Sequence, residues 1–198
     1  MKTKHFIVSF LVVLCHISAL QAAPQRSLYN FNHDWLLYVG DQAEAKQIKF
    51  NDSQWKAVNL PAAFNEDQAF AKDIKDLDNQ VVWYRKHFKV PATHKKQKIF
   101  IEFEGARQGA EIWINEQFVG QNENGVMAFG FDITDYLNFG GKENIIALRI
   151  DNSWDYKEKE SGTAYQWNDR NFNANYGGLP KHVRLHITDR LYQTLPLY

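Results

Sequence analysis

Short runs of alternating apolar residues dominate the second half of this chain and constrain its fold more than any other feature. Ile99, Ile101 and Phe103 form one such run, and Glu102 and Glu104 lie on its other face. A period of two residues places the apolar side chains on one face of a β-strand. The pattern recurs in three further runs: Ala110-Ile112-Ile114, Ile146-Leu148-Ile150 and Val183-Leu185-Ile187. Repeated short strands separated by turn residues predict an all-β sandwich.

Helical patterns are scarce, and only Asp41 to Gln47 and Glu66 to Ile74 are candidates. Turn residues separate the predicted strands, and Pro91 to Lys98 is one of these connections. Its basic tip, His94 to Lys98, could hold an anion, but a solvated hairpin loop is the simpler interpretation. The predicted class is all-β with a turn or two of helix.

The first residues carry the features of an export signal. Two lysines precede an apolar run from Phe6 to Leu20, and small residues follow at Ala22 and Ala23. This order predicts a cleavable secretory signal peptide over residues 1–23 and one sandwich domain over residues 24–198. The apolar run is shorter than the roughly 20 residues that a membrane span needs. We therefore expect an exported protein, periplasmic or secreted, with no membrane attachment after cleavage.

The composition of the predicted mature chain excludes several kinds of site. Cys15 is the single cysteine and lies in the predicted signal, which leaves no thiol for a disulfide, a metal site or a nucleophile. Loss of Lys2 and Lys4 leaves 21 basic residues against 23 acidic ones. Nucleic-acid binding needs a basic surplus, so no nucleic-acid partner is expected.

The stretch from Asn152 to Tyr176 departs from the strand pattern and mixes aromatic rings with amides and carboxylates. Aromatic faces provide an apolar platform for a sugar, and polar side chains at its rim select hydroxyl configurations. Four residues are the candidates for substrate binding: Trp154, Trp167, Asp169 and Asn171. The alternatives are that these aromatic rings contact a neighbouring domain, cover a sheet edge or plug one end of the sandwich.

Other candidate sites are weaker. His182 and His186 share one face of a strand at a spacing that could bind a metal, but no third ligand lies nearby. Asp132 and Asp135 could belong to a cation site, although capping a turn is the simpler role. The sequence contains no signature of a serine nucleophile or of a phosphate loop. It identifies no catalytic residue and no metal site, and it leaves any cofactor unknown.

Several motifs, in order along the chain, resemble the opening of glycoside hydrolase family 2 enzymes, the β-galactosidase, β-glucuronidase and β-mannosidase group. The matching motifs are Phe31-Asn32-His33-Asp34-Trp35, Trp83-Tyr84-Arg85, Phe103-Glu104-Gly105-Ala106, Ala110 to Asn115, Phe131-Asp132-Ile133-Thr134 and Tyr176-Gly177-Gly178-Leu179. The resemblance covers nearly the whole predicted mature chain.

The resemblance implies a jelly-roll sandwich of the galactose-binding type, the N-terminal sugar-binding domain of a retaining exo-β-glycosidase. In that family both catalytic glutamates belong to a barrel domain, so this chain would be inactive alone. Its implied partners are a β-glycoside, with a galactoside favoured, and the following domains of the same enzyme. A stand-alone carbohydrate-binding module and a truncated inactive remnant are the alternatives.

The sequence departs from the family pattern at three places. Ala62-Ala63-Phe64 follows Leu60-Pro61 where the family often has His and Trp. Glu116 follows Asn115 in place of Gly, so this turn lacks the residue that adopts positive φ at little cost. Pro180-Lys181 replaces the frequent Tyr-Arg pair after the Gly-Gly turn.

Overall fold

The computed structural model describes residues 26–66, 80–153, 155–164 and 176–192. These residues form strands joined by turns, which confirms the predicted all-β class. The strands are β1 (Ser27–Asn30), β2 (Trp35–Val39), β3 (Lys56–Val58), β4 (Ala62–Ala63), β5 (Val81–Lys89), β6 (Lys98–Phe103), β7 (Gly109–Ile114), β8 (Gln117–Asn122), β9 (Phe129–Asp132), β10 (Glu143–Asp151), β11 (Gly178–Leu179) and β12 (Val183–Thr188).

The strands form two large antiparallel sheets and one short pair. One sheet has the order β1-β12-β6-β9, and the other has the order β3-β2-β5-β10-β7-β8. The third contains only β11 and β4. Strands that are far apart in sequence, such as β1 and β12, are neighbours. The sheet architecture therefore agrees with a sandwich of the galactose-binding type.

The core lies between the two large sheets, and the alternation in the sequence shows which side chains enter it. Ile146, Leu148 and Ile150 of β10 point inward and meet Ile99 and Ile101 of β6 in one buried cluster. The other alternating runs contribute to the same cluster. Each predicted apolar face is therefore confirmed as a core face.

One connection differs from the sequence prediction, and one of the two helical candidates is only partly described. The candidate helix Asp41 to Gln47 contains a short 3-10 turn at Ala43–Lys46. Of the candidate helix Glu66 to Ile74, only Glu66 belongs to the described residues. The Pro91 to Lys98 connection leads from β5 in one large sheet to β6 in the other, so the prediction of a hairpin was wrong. Among the described residues, no helix has the length and apolarity required to cross a membrane.

The outer face of the six-stranded sheet is covered by the segment that contains the 3-10 turn. Ala45 packs there against Trp83 and Ala147 in a second buried cluster. Arg85 is fully buried beneath the segment and its Nε donates to Asp52 at 2.6 Å.

Candidate functional site

The candidate site lies at the end of the sandwich where β10 ends and β11 begins. The Asn152 amide N–H, just beyond β10, donates to the Gln80 carbonyl at 2.9 Å. On the other side of the predicted sugar loop, Gly178 exchanges two backbone hydrogen bonds with Arg107, at 2.8 and 2.9 Å. Both ends of the loop are therefore held by backbone hydrogen bonds to the same end of the domain.

Tyr84 supports this end from inside the core. Its hydroxyl donates to the Ala62 carbonyl at 2.6 Å and accepts from the Leu179 amide at 3.3 Å. Burial raises the pKa of Tyr84, so the phenol stays protonated and can donate. A single side chain thus joins β4 to β11.

The Gly177-Gly178 pair, at the start of β11, requires glycine at both positions. Gly178 has φ +94°, and a Cβ there would lie 2.3 Å from the Tyr84 hydroxyl oxygen. A Cβ at Gly177 would lie 2.3 Å from the Phe64 ring and 2.6 Å from the Asn152 side-chain nitrogen. The Gly177 amide donates to the Asn65 side-chain oxygen at 3.1 Å. Gly178 is the first residue of β11, so the prediction of a turn at this pair was wrong, and the tight packing explains why neither position carries a side chain.

Tyr156 anchors the first part of the predicted sugar loop. Its hydroxyl donates to the Glu123 carboxylate, which also accepts from the Lys159 amide at 2.9 Å. Burial, followed by the bond to Glu123, raises the pKa of Tyr156. A Cβ at Gly109 would lie 2.2 Å from the Tyr156 ring, so this glycine creates the space for the ring. Tyr156 therefore contacts protein groups at this end of the sandwich.

The buried amide of Gln108 completes this part of the site. It lies beside Arg107 and donates from Nε2 to the Glu123 carbonyl at 3.0 Å. The Gln108 side-chain oxygen lies 2.8 Å from the position that a Cβ on Gly125 would take. Gln108 thus connects the start of β7 to the loop that follows β8.

The four predicted substrate-binding residues, Trp154, Trp167, Asp169 and Asn171, lie outside the described residues. Tyr176, at the end of the same loop, belongs to the described residues. Its side chain is 38% exposed, next to the Gly177-Gly178 pair.

Sequence reasoning missed Asn65, Gln108 and Glu123. Gln108 directly precedes β7 and Glu123 directly follows β8. In such connections a polar residue gives no signal of burial. Their roles depend on partners distant in sequence, which a period-two pattern cannot identify.

The histidines and aspartates considered for metal binding contact protein groups. His182 Nδ1 lies 2.8 Å from the side-chain Nδ2 of Asn32, and His186 contacts the Glu102 carboxylate. Asp132 accepts from the Thr134 amide at 3.0 Å, which confirms that it caps a turn. In the part of the chain that the structure describes, no three His, Cys, Asp or Glu side chains are grouped to hold a metal.

Comparison with known proteins identifies the family. The family model described as "Glycosyl hydrolase 2 galactose-binding domain-like" matches residues 54–187, which include β3 to β11 and most of β12. The chain belongs to this family. Strands β3 to β11 and the Gly177-Gly178 pair therefore lie within a family 2 galactose-binding-like domain.

Curated relatives are much longer than this chain. A β-glucuronidase of Formosa agariphila is 40% identical over 184 residues, which cover 89% of this chain and 18% of that protein. A β-galactosidase of Thermoanaerobacter pseudethanolicus is 40% identical over 128 residues, which cover 64% of this chain and 17% of that protein. The chain thus spans less than a fifth of the length of these relatives.

Solved structures agree with this assignment. A β-glucuronidase from glycoside hydrolase family 2 matches with a TM-score of 0.76 and 38% identity, over 90% of this chain and 19% of that one. A Bacteroides uniformis β-glucuronidase matches with a TM-score of 0.70 and 28% identity, over 83% of this chain and 18% of that one. The alignment again covers one part of a longer enzyme.

Proposed function

We propose that this chain forms the sugar-binding domain of an exported, retaining exo-β-glycosidase, in which residues outside these 198 carry out hydrolysis. The observation that supports the proposal is the family match over residues 54–187, together with relatives named β-glucuronidase and β-galactosidase that are about four to five times as long as this chain. The role of this domain is to help shape the sugar pocket of the whole enzyme.

Within that role, we assign the sugar contacts to the loop between Asn152 and Tyr176. Trp154 and Trp167 would stack against the apolar face of the sugar ring, and Asp169 and Asn171 would bind its hydroxyl groups. Support comes from the positions of the two loop ends, which the backbone bonds of Asn152 and Gly178 hold at one end of the sandwich.

The sugar that we propose first is a β-galactoside. A β-glucuronide is the second candidate, because relatives that are 38% to 40% identical carry the name β-glucuronidase. The two ligands differ at C6, where glucuronide has a carboxylate that requires a cationic or hydrogen-bond-donating partner.

Isothermal calorimetry with methyl β-galactoside, methyl β-glucuronide and methyl β-mannoside tests the binding role. We expect weak binding of one glycoside that is lost in Asp169→Ala and Asn171→Ala, while Asn51→Ala on the opposite, covering segment binds as the parent does. Equal binding by all four proteins would contradict the assigned contacts.

The same preparations test the proposed absence of catalysis. We expect no hydrolysis of 4-nitrophenyl β-galactoside or β-glucuronide by the isolated chain, because the proposal places the catalytic groups outside it. Turnover that follows protein concentration would overturn this part. Tight binding without any further domain would favour a stand-alone carbohydrate-binding module, and a low melting temperature without binding would favour an inactive remnant.

The proposed export is tested separately. Cleavage after Ala22 or Ala23 would give a mature chain beginning at Ala23 or Pro24, which intact-mass measurement of the exported protein distinguishes from the full chain. Recovery of only the uncleaved chain from the cell interior would contradict the export proposal.

A further inference from the structure

A second cleft lies at the opposite end of the sandwich, between the β5–β6 crossover and the loop that precedes β10. Its volume is about 430 Å³, and its apolar surface comes from Leu137 and Phe139. Small-ligand sites commonly have volumes of about 300 to 1,000 Å³. The cleft is therefore large enough for a small ligand.

Hydrogen bonds hold the two walls of this cleft together. Val90 and Phe139 form a β-bridge, and the Gly140 amide donates to the Val90 carbonyl at 3.1 Å. Asn144, which is fully buried, accepts from the Asn138 amide at 2.7 Å and donates to its carbonyl at 2.9 Å. The backbone of the cleft is thus fixed before any ligand binds.

The charges that line the cleft are basic. Lys95 lies on one wall and Lys142 on the other, and no acidic residue lines the cleft. Within the described residues, neither ammonium forms an ion pair. The neighbouring carboxylate of Glu143 lies 3.4 Å from His87 Nδ1. Two unpaired ammonium groups on facing walls favour an anionic ligand.

Gly140 lines the cleft, and Gly141 follows it along the chain. Gly140 and Gly141 have φ +82° and +81°, and a Cβ at either position would have no neighbour within 4 Å. A ligand can therefore approach the backbone closely on this side. The partly buried ring of Phe139 gives the cleft an apolar surface suited to the face of a sugar ring.

We propose that this cleft binds an acidic saccharide, whose carboxylate or sulfate oxygens lie between Lys95 and Lys142 and whose ring packs against Phe139. The cleft is distinct from the Gly177-Gly178 end. The nine-residue strands β5 and β10 separate the two ends, a distance of roughly 26 Å at about 3.3 Å per residue. The second site does not depend on the function proposed for the first.

Two-dimensional ¹H–¹⁵N NMR of the whole chain tests this proposal, with four separate probes: methyl β-glucuronide, galactose 6-sulfate, methyl β-galactoside and sodium sulfate. We expect saturable shifts of the Gly140 and Gly141 amides with the two acidic saccharides. The neutral galactoside should leave them unchanged. Raising the salt concentration from about 50 to about 300 mM should weaken binding several-fold, because the cleft is exposed to solvent.

Charge-reversal variants identify the residues responsible. The double variant Lys95→Glu, Lys142→Glu should bind the acidic saccharides at least about tenfold more weakly. The matched control Lys49→Glu, Lys56→Glu makes the same change of charge at two exposed positions outside both proposed sites and should bind as the parent does. An unchanged affinity in the first variant, or an equal loss in the control, would overturn the proposal.

The remaining outcomes are also decisive. Equal saturation by sodium sulfate would show a site for a free oxyanion and would refute the sugar contact with Phe139. The Gly177 and Gly178 amides report the first site in the same spectra. Shifts confined to the Gly177 and Gly178 amides would refute the second site and leave the first intact. Shifts confined to the Gly140 and Gly141 amides would refute the first site and support the second.

Discussion

At the scale of single residues, Tyr84 connects the core to the candidate site. Its ring belongs to the buried cluster between the sheets, and its hydroxyl binds Ala62 and Leu179. Removing that hydroxyl leaves the carbonyl of partly buried Ala62 and the amide of buried Leu179 each short of a hydrogen bond, which lowers stability.

We therefore expect Tyr84→Phe to lower the free energy of unfolding by about 1 to 3 kcal/mol. Urea denaturation followed by tryptophan fluorescence measures this change. Tyr29→Phe is the control, since Tyr29 is 44% exposed, and its effect should stay within about 0.5 kcal/mol. Similar stability of both variants would show that the Tyr84 hydroxyl does not hold the β4–β11 pair.

Gly178 is the second critical residue at this scale. Replacement by Ala places a methyl group 2.3 Å from the Tyr84 oxygen in a backbone of positive φ. We expect backbone strain alone in Gly178→Ala to lower the free energy of unfolding by about 1 to 3 kcal/mol. Gly141→Ala is a matched control, because it has a similar φ of +81° and open space around it. Thermal unfolding of both variants separates the loss of stability due to the steric clash from the loss due to positive φ.

Some of these residue roles could be predicted from the sequence, and others could not. The pair Gly177-Gly178 indicates a backbone that only glycine adopts at no steric cost, and Gly178 has φ +94°. The turn predicted there is instead the start of β11. Tyr84, in contrast, lies in a strand whose pattern predicts burial and says nothing about its hydroxyl. Its partners Ala62 and Leu179 are separated by more than a hundred residues, and only the folded chain brings them together.

At the scale of elements, the β7–β8 hairpin shows how an unfavourable turn residue is tolerated. Asn115 and Glu116 have φ +50° and +70°, so Glu116 adopts the conformation that glycine would adopt more cheaply. The Glu116 carboxylate accepts from the Ile48 amide at 2.8 Å. This bond ties the hairpin to the segment that covers the outer face of the sheet.

Asn115 is the more important residue of this turn. Its amide donates to the Tyr136 carbonyl and to Asn144, and its side-chain oxygen accepts from the Ile145 amide at 3.0 Å. Asn115→Ala should cost about 1 to 3 kcal/mol, because these partly buried groups lose their partner. Gln117→Ala, at an exposed position of the same hairpin, is the control. Chemical denaturation that gave equal losses for both would contradict this role.

The elements were predicted more accurately than their connections. Alternation fixed the core faces of β6, β7, β10 and β12, because the same periodicity that identifies a strand also gives its buried side. The route from β5 to β6 was predicted wrongly, since turn residues mark where a strand ends without indicating which sheet the next strand enters. Pairing between distant strands depends on the packing of the whole core.

At the scale of the whole molecule, buried or hydrogen-bonded carboxylates link stability to pH. Burial alone would raise the pKa of Asp52, but hydrogen bonds from His87 and Arg85 outweigh it and lower that pKa. Lys98 and Thr134 likewise outweigh burial and lower the pKa of Asp132. Asp132 is the last residue of β9 in the four-stranded sheet, whereas Asp52 lies in the covering segment and binds Arg85 and His87 of β5 in the six-stranded sheet. Acid therefore weakens contacts of both sheets.

The sign of the pH effect follows from these lowered values. An aspartate whose pKa is lower in the folded state than in the unfolded chain stabilises the protein above the unfolded value, about 3.9. That stabilisation is lost as the pH falls through the folded-state pKa. We therefore expect the free energy of unfolding to be nearly constant from about pH 7 to pH 5 and to fall below about pH 4.

Urea denaturation at a series of pH values measures this dependence, and Asp132→Asn tests its origin. The variant should be less stable than the parent at neutral pH, and the difference should shrink as acid protonates Asp132 in the parent. Asp155→Asn, at an exposed position of the 155–164 segment, should follow the parent curve throughout. A constant difference between Asp132→Asn and the parent at all pH values would mean that the charge on Asp132, held by Lys98, does not stabilise the fold.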